Sequence, residues 1–576
     1  MNHRMPLGLA LATATLLGLS ACGGDDASPT TATTTTTFSG TAATGAAMAG
    51  ATVSISCASG SGTTTTATNG SYTKDLISVT LPCALKAASS DGTTVLYSVT
   101  TATATGSSTQ VANITPLTQL LVASLAGTDP GTFFTNFSAY TSSVTASSVS
   151  TAQTAVLTTL ANAGLDVSSL SNLLTGTLVA ATSTTTGNAY DAVLDALKTQ
   201  LTSSGTTLAT LTTTVAAASP VVTTSTTGTS SNLASLPAAQ LLKTADSNCA
   251  ALRSGDYWAI TPTLGAGISK QFTSASYNTS NKTATNLVGA LTVFSDSGSC
   301  KYLAGDGVSN IVVSQAGVVA ARYLDSNNAS RLGLAIPKQS IAVAELAGTW
   351  NVLDFEMNGA GTGYSGSMWS ATVNNAGAMV SGTACDSALL AANCSAIPAA
   401  NLGTFSSNAD GGFNVSNSGD PSVSRAFAYR AGNGDLMAVM VDGDGSVYLF
   451  TKMRTLSLPT VGDINPKSWS IRTRTTLLAD ALLTNFTTTV MQVDTTTGGV
   501  TRTQNLEAGT PNYTETVVQN SPRAGYSYRA AATTTDANNN PVSIRERTSL
   551  GLRGMGISVQ SVPSLTAFQV TVDQQP

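Results

Sequence analysis

The chain has 576 residues, room for about four domains, with 25 Lys+Arg against 30 Asp+Glu and a formal net charge of −5. At 42% hydrophobic and 10% charged it is too apolar for a disordered chain, and it lacks the clustered cations that bind a phosphate backbone, which excludes a nucleic-acid partner. Its one histidine, His3, lies in a segment read below as removed, so the mature chain offers no imidazole to a catalytic triad or a metal.

At the N-terminus Arg4 supplies a positive charge ahead of an apolar stretch from Met5 to Leu19, too short to span a membrane comfortably. It ends in Leu19-Ser20-Ala21-Cys22, which resembles the lipobox of bacterial lipoproteins. The resemblance implies that 1–21 is a cleaved signal peptide, that Cys22 is the lipidated first residue, carrying palmitate-type acyl chains, and that the protein is anchored in the cell envelope. Gly23 rather than Asp after the cysteine implies the outer membrane. Residues 22–37 are then a Thr-rich tether, able to lift the folded part about 20 Å off the bilayer.

Residues 38–112 read as strands. Thr52-Val53-Ser54-Ile55-Ser56-Cys57 alternates apolar and polar, Asn69-Gly70 signals a turn, and Val79 to Leu85 and Val95 to Val99 read as further strands. The succession Gly40, Gly45, Gly50-Ala51-Thr52-Val53 and Thr68-Asn69-Gly70-Ser71-Tyr72 resembles the carboxypeptidase regulatory-like family, with Met48-Ala49 replacing that family's usual proline neighbourhood. The resemblance implies a small transthyretin-like, carbohydrate-binding-like β-sandwich and carries over no catalytic residue.

The period changes at 113–218. Thr115-Pro116 can cap a helix that Leu117, Leu120, Leu121 and Leu125 continue; Ala152 to Leu165, Ala189 to Leu201 and Thr207 to Ala217 repeat the pattern. The order β-module, Asn113-Ile114-Thr115-Pro116-Leu117-Thr118, helices resembles a layout seen in uncharacterised proteobacterial lipoproteins.

After a linker at 219–236, three β-rich regions are expected at 237–345, 346–460 and 461–576. Turn signals such as Gly432-Asn433-Gly434 and Asp442-Gly443-Asp444-Gly445 separate strand-like runs, among them Ile311 to Ala316, Leu436 to Val441, Val447 to Thr451 and Phe568 to Val572. Gly255-Asp256-Tyr257-Trp258 and Gly348-Thr349-Trp350-Asn351 are loosely alike, and Gly348-Thr349-Trp350 resembles the strand opening of lipocalin-like barrels. The expected fold is multidomain and mainly β: a small β-sandwich, a helical middle segment, and an antiparallel C-terminal region of barrel or sandwich type.

Besides Cys22 there are six cysteines, and in an exported chain they suggest disulfides. They fall into three sequential pairs, Cys57–Cys83, Cys249–Cys300 and Cys385–Cys394, with no CxxC to suggest zinc or thioredoxin chemistry. The Asp442–Gly445 run lacks the later Glu of an EF-hand and reads as a hairpin turn, so no metal and no cofactor is expected. Glutamates are few: Glu345, Glu356, Glu507, Glu515 and Glu546. Asp354 and Glu356 share a strand face after Trp350 and are expected to face solvent; lining a pocket mouth instead, they would suit a carboxylate-based hydrolase. Tyr257, Trp258, Trp350, Tyr364 and Trp369 are candidates to stack on a sugar or to fill cores. The sequence thus points to a lipid-anchored envelope protein that binds a glycan or an envelope protein or has a structural role. The alternatives are a hydrolase and a carrier of a small apolar ligand in a C-terminal barrel.

Overall fold

The computed structural model describes residues 34–101, 108–219, 236–264, 267–285, 292–358, 361–385, 394–420, 422–506 and 512–575. The signal segment, Cys22, most of the 22–37 tether, Glu507 and the 219–236 linker apart from its ends lie outside them.

Two small sheets face each other at the N-terminal end. One orders Ser71–Ile77, Thr35–Thr41 and Ser108–Val111; the other orders Ser61–Thr65, Thr52–Ser59, Thr80–Ala88 and Val95–Thr100. The first strand begins inside the Thr-rich stretch because Phe38 is fully buried and pins it between its two neighbours. Val53, Ile55, Tyr72, Leu85 and Leu96 fill the space between the sheets. Cys57 and Cys83 are directly paired across neighbouring strands and bonded.

Helix Pro116–Ala126 enters on a capping box in which Thr115 accepts from the Thr118 N–H and Thr118 returns the bond, and it ends at Gly127 in the left-handed conformation. All of its residues are buried, as expected of a helix apolar on most sides. Gln119 donates to Thr212 at 3.1 Å and Thr118 to the Tyr97 carbonyl at 2.9 Å, while Gln119 Oε1 is buried with no described partner. Helices Ala146–Asn162, Ala189–Ser204 and Leu208–Ala217 pack with it in one apolar cluster, which makes it the axis of the helical segment.

Three antiparallel β units follow. Strands from Gly255–Ile260 to Ser330–Pro337 close into an eight-stranded barrel. Strands from Gly348–Met357 to Val447–Lys452 form a nine-stranded sheet. That sheet curls until Ala378, beside one end, bridges Thr404 at the other. Strands from Ile464–Asn465 to Ala567–Asp573 form a ten-stranded sheet. Its edge strand Ile464–Asn465 is joined by Pro466 and Lys467 alone to Ser468–Arg474, near the opposite edge, so this sheet must curl as well. The outer faces of all three meet in one apolar core holding Trp258 and Ile336, Leu353, Phe355 and Tyr429, and Tyr526, Val559 and Phe568. Tyr526 locks two units together, donating to the Val352 carbonyl at 2.8 Å and accepting from the Val352 N–H at 3.0 Å. The chain is therefore mainly β and multidomain, as expected, with strands predicted at 436–441 and 447–451 found at Leu436–Val441 and Val447–Lys452. The strand expected from Ile311 to Ala316 ends at Val313, where Ser314 and Val318 pair across a tight turn.

Candidate functional site

An eight-stranded barrel is just wide enough to be filled by its own side chains or to hold one small ligand. Here the inward positions decide for space. Register pairs Phe294 with Ala304, Ile311 with Ala321, Ala321 with Gly333 and Val319 with Ala335, so one interior face carries three alanines and a glycine among Phe294, Ile311 and Val319. They line a cavity of about 380 Å³, within the range of small-molecule sites.

One end of the barrel is closed by polar and covalent contacts. Asp246, almost fully buried, accepts from the hydroxyls of Tyr277 at 2.9 Å and Tyr302 at 2.7 Å. Burial and then Asp246 push the Tyr277 hydroxyl well above its ordinary value, so it stays a donor. Cys249–Cys300 ties the segment carrying Asp246 to the barrel wall. At the cavity's other end lie Asp306, Ser309, Arg322 and Tyr323. Burial pushes the Asp306 carboxyl up, but hydrogen bonds from Ser309 and Val308 and the charge of Arg322 bring it net below its ordinary value. Arg322 is itself held by Ser330 at 2.8 Å and the Val308 carbonyl at 3.1 Å. The arrangement is a largely apolar chamber with one charge of each sign, Asp306 and Arg322, among its lining residues.

The residues singled out in the sequence fall elsewhere. Cys385–Cys394 is bonded at the edge of the nine-stranded sheet. Asp442–Gly445 is the turn between Leu436–Val441 and Val447–Lys452. Among the described residues no group of His, Cys, Asp and Glu is arranged to hold a metal ion. The reading of Asp354 and Glu356 as solvent-facing is wrong: Asp354 is fully buried and Glu356 largely so. Asp354 Oδ1 accepts from the Ser367 N–H and hydroxyl, both at 2.8 Å, and Oδ2 from Ser367 at 2.9 Å and the Trp369 indole at 2.9 Å. Tyr448 bridges Glu356 at 3.2 Å and Asp442 at 2.8 Å. Burial and then Glu356 push Asp354 well above the carboxylate range; burial and then Asp442 raise Glu356. With both oxygens of Asp354 already occupied, this pair presents no free carboxylate edge to a substrate.

Most of the aromatic candidates are interior. Tyr257, Trp258, Trp350 and Tyr364 are buried, and Trp369, half-buried, packs edge-on to Phe450. Glu345 pairs with Arg430 at 2.7 Å, and Glu546 accepts from Tyr528 at 3.1 Å. Glu515 is buried between Arg502 and Arg529, whose charges outweigh the burial that would raise its carboxyl and bring it down to about 2. The cavity-lining alanines were missed because alternating Ala and Val announce a strand without saying which face is hollow. No described helix is long and apolar enough to cross a membrane.

No family model and no curated protein matches the chain. Among solved structures it is similar to a mutant Transferrin Binding Protein B from Haemophilus parasuis, with 9% identity over 55% of this chain and 73% of that one, at a TM-score of 0.16. It is similar also to the isotype 1 protein of that name from serogroup B Neisseria meningitidis, with 9% identity over 56% and 76% and the same TM-score of 0.16. Likeness at that level fixes neither fold nor function.

Proposed function

We propose that the chain is a lipid-anchored cell-envelope protein whose eight-stranded barrel binds a small apolar ligand. The observation that carries the reading is the chamber of about 380 Å³ walled by Phe294, Ala304, Ile311, Val319, Ala321 and Ala335. Each 100 Å² of apolar ligand surface taken from water there contributes about 2.5 kcal/mol. The rim pair Asp306 and Arg322 adds a place for one polar group of the ligand. Three disulfides support an oxidising compartment, in keeping with the lipobox at 19–22. Binding of a glycan, another form of the role, has less support because Tyr257, Trp258, Trp350 and Tyr364 are buried.

Titration with the apolar fluorophore N-phenyl-1-naphthylamine tests the reading. One saturable site is expected in the wild type, with affinity at least tenfold weaker in Ala321→Phe, which fills the chamber. Absence of saturable binding, or equal binding in the folded variant, would overturn it. The anchor is tested separately: an alkyne fatty acid is expected to label the wild type and to leave Cys22→Ala unlabelled.

A further inference from the structure

The inward face of the ten-stranded sheet gathers three arginines about one glutamate. Register sets Arg502 opposite Glu515 and Arg529 opposite Arg547. Gln519 pairs with Ser527, so period-two alternation puts all four residues on one face. Two of the same strands send Tyr526 and Leu550 from the other face into the shared apolar core. The arginines therefore face the inside of the curl.

Glu515 is the one described carboxylate they touch. Its side chain has no exposed surface. Its Oε1 accepts from Arg502 Nε at 2.8 Å and Nη2 at 2.6 Å and from Gln504 at 2.9 Å, and its Oε2 accepts from Arg529 Nη1 at 2.5 Å. Arg547 feels the charge of Glu515 but makes no hydrogen bond to it. That guanidinium donates through Nη1 to Gln560 at 3.3 Å, and its Nε is buried with no described partner. Three guanidiniums thus share one carboxylate, two positive charges in excess. An unpaired buried charge is costly. Burial, then the neighbouring Arg529 and Arg502, push Arg547 down to about 9.

We propose that Arg502, Arg529 and Arg547 form a binding site for a small doubly charged oxyanion, of phosphate, sulfate or dicarboxylate type. A dianion cancels the excess charge, and planar guanidinium forks match paired oxygens. Glu515 holds Arg502 and Arg529 in place, while Arg547 offers the unused Nε. Arg502 and Arg529 keep 19% and 14% of their side-chain surface exposed, while the Arg547 Nε is buried, so an anion reaches the cluster past the first two. The site is separate from the barrel chamber and independent of its reading.

Calorimetric titration of the full chain with inorganic phosphate, sulfate and succinate, at constant ionic strength, tests the site. At least one of them is expected to bind saturably, one per chain, and at least tenfold more weakly in Arg547→Met. The ranking separates a tetrahedral oxyanion from an organic dicarboxylate. The anion-free variant is expected to melt at a higher temperature than the wild type, because it removes an unpaired buried cation; a purely structural Arg547 would give a lower one. Should Arg547→Met not fold, Arg547→Lys replaces it. That variant keeps the charge but loses the fork, and it should bind at least threefold more weakly. No saturable binding by any of the three anions, or binding undiminished in the folded variant, would overturn the proposal.

Discussion

Gly255 and Gly348 open the first strands of the eight-stranded barrel and the nine-stranded sheet in the same way. Both have positive φ, 133° and 121°. Two residues on, an inward aromatic reaches back to a carbonyl four residues before it: Tyr257 to Arg253 at 2.8 Å, Trp350 to Leu346 at 2.7 Å. From this shared beginning the interiors diverge. The nine-stranded sheet fills its curl with Trp350, Met379, Phe405, Phe413 and Phe450. The barrel puts alanine at 304, 321 and 335 and stays hollow. Strand closure sets how much room there is; inward side-chain volume decides whether that room becomes a core or a chamber.

The filled and hollow interiors should respond oppositely to large-to-small and small-to-large substitution. Phe450→Ala, in the filled unit, is expected to cost about 3–5 kcal/mol in denaturant unfolding. Ala321→Phe, in the hollow one, should change stability by less than about 1 kcal/mol, below the usual cost of overpacking a filled core. A loss above that figure would mean that the barrel interior is already packed.

The disulfides of the two units close loops of very different length. Cys249–Cys300 closes a separation of 51 residues at the barrel floor, and Cys385–Cys394 one of 9 at the edge of the nine-stranded sheet. On chain-entropy grounds, replacing the first pair by serine should cost about 4 kcal/mol and the second about 2.5 kcal/mol. Chemical denaturation of each double variant measures the difference, and the reverse order would show that the barrel floor does not depend on its bond.

The smallest expected effect is in pH. Asp354, Glu356 and Asp442 have folded-state values raised chiefly by burial. The stability they contribute is full below their unfolded values and is lost as pH rises through the folded ones. Asp306 is net lowered, so its contribution is present above its unfolded value and is lost as pH falls. Raising pH from about 4 should therefore weaken the nine-stranded unit and not the barrel rim. Melting curves of Asp354→Asn should show a flatter dependence than the wild type; an unchanged slope would remove the buried acids as its source.

Much of the architecture was legible. Thr115-Pro116 and the leucines after it announced the central helix, and the glycine-rich turns between 432 and 445 announced the hairpins. The face of a strand was not legible where both faces are buried. Gly348–Met357 is covered on both sides through most of its length, so alternation showed that Asp354 and Glu356 lie together without showing that they lie inside. The arginine cluster depends on register between strands whose paired residues, such as Arg529 and Arg547, are distant in sequence. The chamber depends on three alanines whose meaning appears only when the barrel closes.

Diffraction from xenon-pressurised crystals of the full chain tests the contrast most directly, because an apolar cavity stays dry and takes up xenon. Xenon is expected inside the barrel, among Phe294, Ala321 and Ala335, and nowhere within the nine-stranded curl, and its peak should vanish in Ala321→Phe. Ordered water throughout the barrel, or no xenon there in the wild type, would contradict the account.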